Sequence, residues 1–196
     1  MAENKVRFGL KNVYYAVLTE SSDNTNNTWG TPVAVPGAVS LTLDSNSSDG
    51  TFYADNVSYY KTFANNGYTG TLEMARINDS MMKDIFGMTL DNTTKVLSEA
   101  TGVQPKLFAL LFQVEGDANQ ELNVLYRVVA TSKPTIGSQT VEETVEPVTQ
   151  SFDIEALPIV TGPTYQKDLI RARTTDQTTT SVRSNWFTAV TIATTA

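Results

Sequence analysis

The chain has 196 residues, 40% hydrophobic and 18% charged, proportions of a globular domain long enough to bury one sizeable core. Its formal charge is −7 with no basic run, which excludes a grip on nucleic acid through phosphate neutralisation but not the passage of DNA nearby. Cys and His are both absent, and with them go disulfides, thiol nucleophiles, Cys/His zinc sites and every imidazole triad or shuttle.

The opening MAENKVRFG lacks the apolar stretch of a secretory signal, so cytoplasmic synthesis is expected. No apolar run approaches the roughly 18 residues of a membrane helix, so no membrane partner is expected. Next comes KVRFGLKNVYYAV, Lys5 to Val17, a basic arm followed by a strand over Asn12 to Thr19. Such an end either pins itself to its own domain or reaches a neighbour, and Lys5 to Leu10 is read as reaching. Short β-branched and aromatic runs with period-two alternation predict further strands. They fall at Ala38 to Asp44, Tyr68 to Ile77, Leu107 to Glu115, Leu122 to Thr131 and Val148 to Val160.

One helix is expected over about 79–87, in NDSMMKDIFGM. Asn78 or Asp79 caps it, Met81, Met82, Ile85 and Phe86 form its apolar stripe, and Gly87 ends it. A second short helix is read around Lys95 to Ala100, ended by Gly102 and Pro105. The stretches Ser21 to Thr31 and Asp44 to Gly67 are rich in Asn, Ser, Asp and Gly, too polar to offset their own ordering entropy. Both resist a packed reading, and the second is read as a long loop. The second carries Phe52, Tyr53, Tyr59, Tyr60 and Phe63, which suggests ordering against something, either its own domain or another copy.

Splitting strands by parity separates two faces. Val148, Phe152 and Ile154 oppose Thr149, Ser151, Asp153 and Glu155. Val39, Leu41 and Leu43 oppose Ser40, Thr42 and Asp44, while Leu72 and Met74 oppose Thr69, Thr71 and Glu73. Three strands thus share a face of hydroxyls and carboxylates without Lys or Arg. By contrast, KLFALLFQVEG is apolar on both sides and is expected to lie covered on both.

The carboxylates at Asp153 and Glu155, or at Glu142, Glu143 and Glu146, invite a glycosidase reading, but their separation is unfixed and sheet carboxylates are more often simply solvated. GDANQE, from Gly116, lacks the acidic spacing of a calcium loop and reads as a tight turn. There is no phosphate-cradling loop, nucleophile elbow or dinucleotide fingerprint, so no catalytic residue, metal or cofactor is assigned. The Asn-x-Ser/Thr triplets at Asn56 and Asn92 are chance products of composition. After Pro163, Lys167, Arg171, Arg173 and Arg183 punctuate a polar run ending in the strand-like NWFTAVTIA. This end is read as docked on the chain itself or lent to a neighbour.

The segments FGLKNVYYA, PGAVSLTLD, GTFYADNVSYY followed by GYTGTLEMA, and VTQSFDIEA cover roughly residues 5–160. In order and spacing they resemble the major tail proteins of long-tailed, non-contractile bacteriophages of Gram-positive hosts. The resemblance implies a mostly β, sandwich- or barrel-type tail tube fold with one flanking helix, formed by residues 1–160, with 161–196 as an extension. It implies hexameric rings stacked into a tube in the virion, assembled in the host cytoplasm, through which double-stranded DNA passes without being tightly bound. A tape-measure protein, a tail terminator and a distal tail protein are the other implied partners, and no enzymatic activity is implied. Carried over, Asp44, Glu73, Asp153 and Glu155, with Thr42, Thr71 and Ser151, line the lumen. Arg7, Phe8 and Leu10 of the arm (1–11) and Phe52, Tyr53, Tyr59, Tyr60 and Phe63 of the long loop (44–67) make contacts between subunits or rings. The alternative from the residues alone is a β-sandwich binding module for carbohydrate or another surface, with the Tyr-rich loop as its contact.

Overall fold

The computed structural model describes residues 8–22, 26–116, 120–140, 147–161 and 165–192, without the side chains of 161 and 165–167. In chain order the elements are β1 (Leu10–Thr19), β2 (Thr28–Trp29), β3 (Val33–Val35), β4 (Ala38–Ala54), β5 (Val57–Met74), α1 (Asp79–Asp84), β6 (Thr89–Leu90) and β7 (Leu97–Ser98). They continue as β8 (Phe108–Val114), β9 (Leu122–Ala130), β10 (Gln150–Leu157), β11 (Ile159–Thr161), β12 (Tyr165–Leu169), β13 (Arg171–Arg173) and α2 (Thr180–Asn185). The expectation of a mostly β chain with a flanking helix holds.

Nine strands form one antiparallel sheet along the path β2-β1-β8-β9-β10-β5-β4, with β3 on β1 and β13 on β9. The sheet curves so that β4, at one end of the path, comes back close to β1 near the other. β8 and β9 lie at its centre. β8, the FALLFQV segment, is buried on both faces as its continuous apolar run requires, because a hydrophobic cluster lies on each side of the sheet.

The first cluster fills the concave side. Val13 and Tyr15 of β1, Leu72 and Met74 of β5, and Phe152 and Ile154 of β10 point into it, with Leu41 and Leu43 at its edge. α1 plugs it. The Asn78 side chain accepts from the Met81 N–H at 2.9 Å and caps the helix, which buries Met81, with Ile85 and Phe86 buried just beyond its end. Phe86 meets Phe152 edge-on with ring centroids 5.2 Å apart. Gly87, at φ 69°, ends the turn as expected. Tyr15 Oη donates to Asp84 at 3.0 Å, tying β1 to the helix; burial first, then the neighbouring Asp84 carboxylate, pushes the phenol pKa far up.

The second cluster lies on the opposite face, over β1, β8 and β9. Ala16, Leu18, Leu111, Val124 and Tyr126 belong to it, and the C-terminal segment supplies its cover. Trp186 is 3% exposed and donates Nε1–H to the Asn123 carbonyl at 3.3 Å. Phe187 stacks on Tyr14 at 4.6 Å, and Tyr126 Oη donates to the Thr191 carbonyl at 2.9 Å.

Five sequence expectations are corrected. Asp44 to Gly67 is no loop: β4 and β5 continue through it as one long hairpin. Its turn is Asp55–Asn56, both left-handed at φ 49° and 62°, the two-residue geometry that matches strand twist and that Asp and Asn tolerate. Residues 95–100 form no helix. β7 lies there instead and pairs back on β6, because the Asp91 carboxylate accepts from the Thr93 and Thr94 N–H groups, each at 2.7 Å, and fixes a turn. The C-terminal NWFTAVTIA is not a strand, since α2 leads into turns in which Trp186 and Phe187 are spent on the second cluster.

The described part of Ser21 to Thr31 is not a bare loop. β2 pairs with the end of β1, and Trp29 donates Nε1–H to the Tyr126 carbonyl at 2.9 Å. Finally, Val39 and Val148 do not point into the core. Ala38 faces Met74 and Ser40 faces Glu73, so Val39 is the extra residue of a β-bulge and stands exposed. Val148 precedes β10 and is exposed as well.

Candidate functional site

The polar face predicted by parity exists, and the strand register explains why it is continuous. β5 runs between β4 and β10, and residues directly opposite each other share a face. Three rows therefore cross the three strands: Ser40, Glu73 and Ser151; Thr42, Thr71 and Asp153; Asp44, Thr69 and Glu155. All seven residues predicted to line a lumen fall in these rows. No row contains Lys or Arg.

The hydroxyls hold the carboxylates. Glu73 accepts from Thr149 Oγ1 at 2.5 Å and from Ser40 Oγ at 2.8 Å. Those two bonds, that from Thr149 first, keep its carboxyl below the usual glutamate range. Asp153 accepts from Thr71 Oγ1 at 2.7 Å. Glu73 and Asp153 are thus held by neighbouring hydroxyls, and with Asp44 and Glu155 they make the face negative. Among the described residues no group of three or more Asp, Glu, His or Cys is placed to hold a metal, and no described helix is long and apolar enough to cross a membrane.

Parity alone does not find where this face stops. In the row beyond Glu155, Leu157 faces Arg127 of β9, and Arg127 is ion-paired to Glu20 at 2.9 Å. The C-terminal segment covers the β1-β8-β9 half of the same face, whereas β10, β5 and β4 remain polar. One face of the sheet is thus divided between an apolar half, which the chain covers itself, and an acidic half.

The hairpin carries the aromatic candidates. Beyond its base every residue from Ser47 to Asn66 is exposed except Ala54, which is half-buried. Phe52 faces Tyr60 across the strands and Phe63 faces Asp49, so aromatic side chains emerge on both sides of the ribbon. Tyr53 and Tyr59 flank the tip, and Tyr59 is 75% exposed. The only ion pair among the described hairpin residues joins Lys61 to Asp49 at 3.2 Å. At the hairpin base, register shifts between Ser45 and Ser47 on β4, opposite Gly67 at φ 116°. A side chain at Gly67 would run into the Ala156 carbonyl, so only glycine lets β5 pass β10 there.

Of the arm, Arg7 and the residues before it lie outside the described residues. Phe8 and Gly9 continue the β1 ladder on their own domain: the Gly116 and Glu115 N–H groups donate to the Phe8 and Gly9 carbonyls at 2.8 and 2.9 Å. The Phe8 ring rests over Gly116 yet remains 65% exposed. Leu10 pairs with Val114 and packs against the first cluster. The reach predicted for Lys5 to Leu10 is thus corrected for its last three residues, which hydrogen bonds pin at home. Glu142, Glu143 and Glu146 also lie outside the described residues, as do residues 117–119 of the GDANQE turn.

Compared with known protein families and with characterised proteins, the chain matches none of them.

Proposed function

We propose that this chain is a structural subunit of a tail tube of the long-tailed, non-contractile phage type. Hexameric rings of it stack into a tube in the virion, with the acidic half-face of β4, β5 and β10 turned to the channel. The observation that carries the reading is the in-register, cation-free set of three rows holding Asp44, Glu73, Asp153 and Glu155. DNA in transit is best served by such a surface, because each Lys or Arg would pair with a phosphate and add friction, while hydrated carboxylates repel the duplex toward the axis. The projecting aromatic hairpin suits contact between subunits: its aromatic side chains stand exposed, and its distal ladder pairs only with itself. Tape-measure, terminator and distal tail proteins are the partners such a tube requires.

Negative-stain electron microscopy of concentrated protein tests the proposal. Tubes or stacked rings of about six subunits are expected. A strict monomer at every concentration would overturn it. The exposed tyrosines also fit the alternative, a carbohydrate-binding module, and a monomer that binds glycans through the hairpin would establish that reading instead.

A further inference from the structure

Where β4 approaches β1, the curved sheet does not close completely, and a cleft of about 340 Å³ opens between them. Leu10, Leu41, Leu43, Phe112 and Val114 wall it with aliphatic and aromatic surface. Its polar side chains are Asn123 of β9, Glu121 just before that strand, and Arg171 of β13, which pairs with β9. An open cleft of this size that joins an apolar wall to convergent polar groups is a common form of small-molecule site.

Asn123 makes the cleft more than a packing defect. The residue is 2% exposed and its buried Nδ2 has no hydrogen-bond partner among the described residues, although an orphaned buried donor is destabilising. Its own carbonyl is already used by Trp186, so the unmet group is the side-chain amide. Glu121 does not supply the missing acceptor; Arg173 Nη1 donates to its Oε2 at 2.8 Å, which offsets its charge. Arg171 adds a guanidinium held 5.9 Å from the centre of the Tyr68 ring. A donor without an acceptor, a nearby cation and an aliphatic wall together define a complementary ligand.

We propose that this cleft binds an aliphatic carboxylate, its chain between Leu43 and Phe112 and its head facing Arg171, with the Asn123 amide turning from its buried position to donate Nδ2–H to it. The site is separate from both the acidic face and the hairpin, and it does not depend on the tube reading.

Protein-observed NMR of the full chain titrated with sodium octanoate and, separately, with 1-octanol tests the assignment. Saturable shifts are expected in the Asn123 side-chain amide and in the backbone of Leu43 and Phe112, with octanoate binding more tightly than octanol. Asn123→Leu removes the orphaned donor, so it should keep or raise the melting temperature while weakening octanoate about tenfold. Arg171→Gln, at the exposed rim, should weaken octanoate and leave octanol unchanged; it decides the matter if the Asn123 variant does not fold. Absence of saturable shifts, or equal octanoate affinity in the wild type and Arg171→Gln, overturns the proposal.

Discussion

Glu73 and Gly67 show how far a single residue commits this fold. Glu73 sits at the surface between two hydroxyl donors, and a carboxyl held below its ordinary value of 4.5 stabilises the folded chain above that pH. The contribution is lost as pH falls through the lowered folded value. Titration followed by carboxyl NMR should therefore place the Glu73 midpoint below 4.5, and Thr149→Val should move it up more than Ser40→Ala does; an unchanged midpoint in Thr149→Val refutes the hydrogen-bond cause. Gly67 is needed for two reasons at once, its left-handed backbone and the Ala156 carbonyl against it. Gly67→Ala should cost about 3 kcal/mol in urea unfolding. A loss near the few tenths of an ordinary surface change would show that β5 can move off β10. The outward position of each polar-face residue was legible from alternation alone; Val39 was not, because a bulge inserts a residue without any mark in a run of alternating types.

The same limit appears at the level of elements. β8 and β9 were legible because apolar runs bounded by polar turns have few other uses, and α1 because Asn78, the Met81–Ile85 spacing and Gly87 agree. The distal hairpin was hidden because it buries nothing: its strands carry Ser, Asn and Asp, so hydrophobic patterning is silent and only the Asp55–Asn56 turn marks it. Asp55→Pro should break that turn, since proline cannot reach φ 49°. Hydrogen exchange should then quicken between Ser47 and Asn65 while both clusters keep their stability within about 1 kcal/mol. A global loss of stability would mean that the hairpin is part of the cooperative core. In assembled tubes the wild-type ribbon should exchange slowly and in the monomer quickly; equal protection in the two states excludes it from the subunit contacts.

For the whole molecule, the decisive event is the docking of residues 176–192 on the sheet. Trp186→Ala should cost about 3–5 kcal/mol by removing the anchor of the second cluster, read as a lowered urea midpoint with an unchanged slope. A loss under about 1 kcal/mol would mean that the segment is an appendage. Changing Asp44, Glu73, Asp153 and Glu155 together to Lys should leave the circular dichroism of a folded β protein, yet give assembled particles that bind duplex DNA at low salt and release it at high salt. Particles that stay indifferent to DNA would remove the electrostatic basis of the channel reading.

The sequence by itself determined the mostly β class, the central doubly buried strand, the capped helix and the split between an apolar and an acidic side of three strands. All of these follow from local chemistry, namely side-chain period, capping and backbone preference, acting within a few residues. Only the tertiary structure decided that the acidic rows stand in register across β4, β5 and β10, that Arg127 and the C-terminal segment bound them, and that Asn123 lines a cleft. Those features join residues far apart in the chain, for example Glu73 with Thr149 and Asn123 with Trp186, and strand register and long-range contact leave no periodic trace in the sequence.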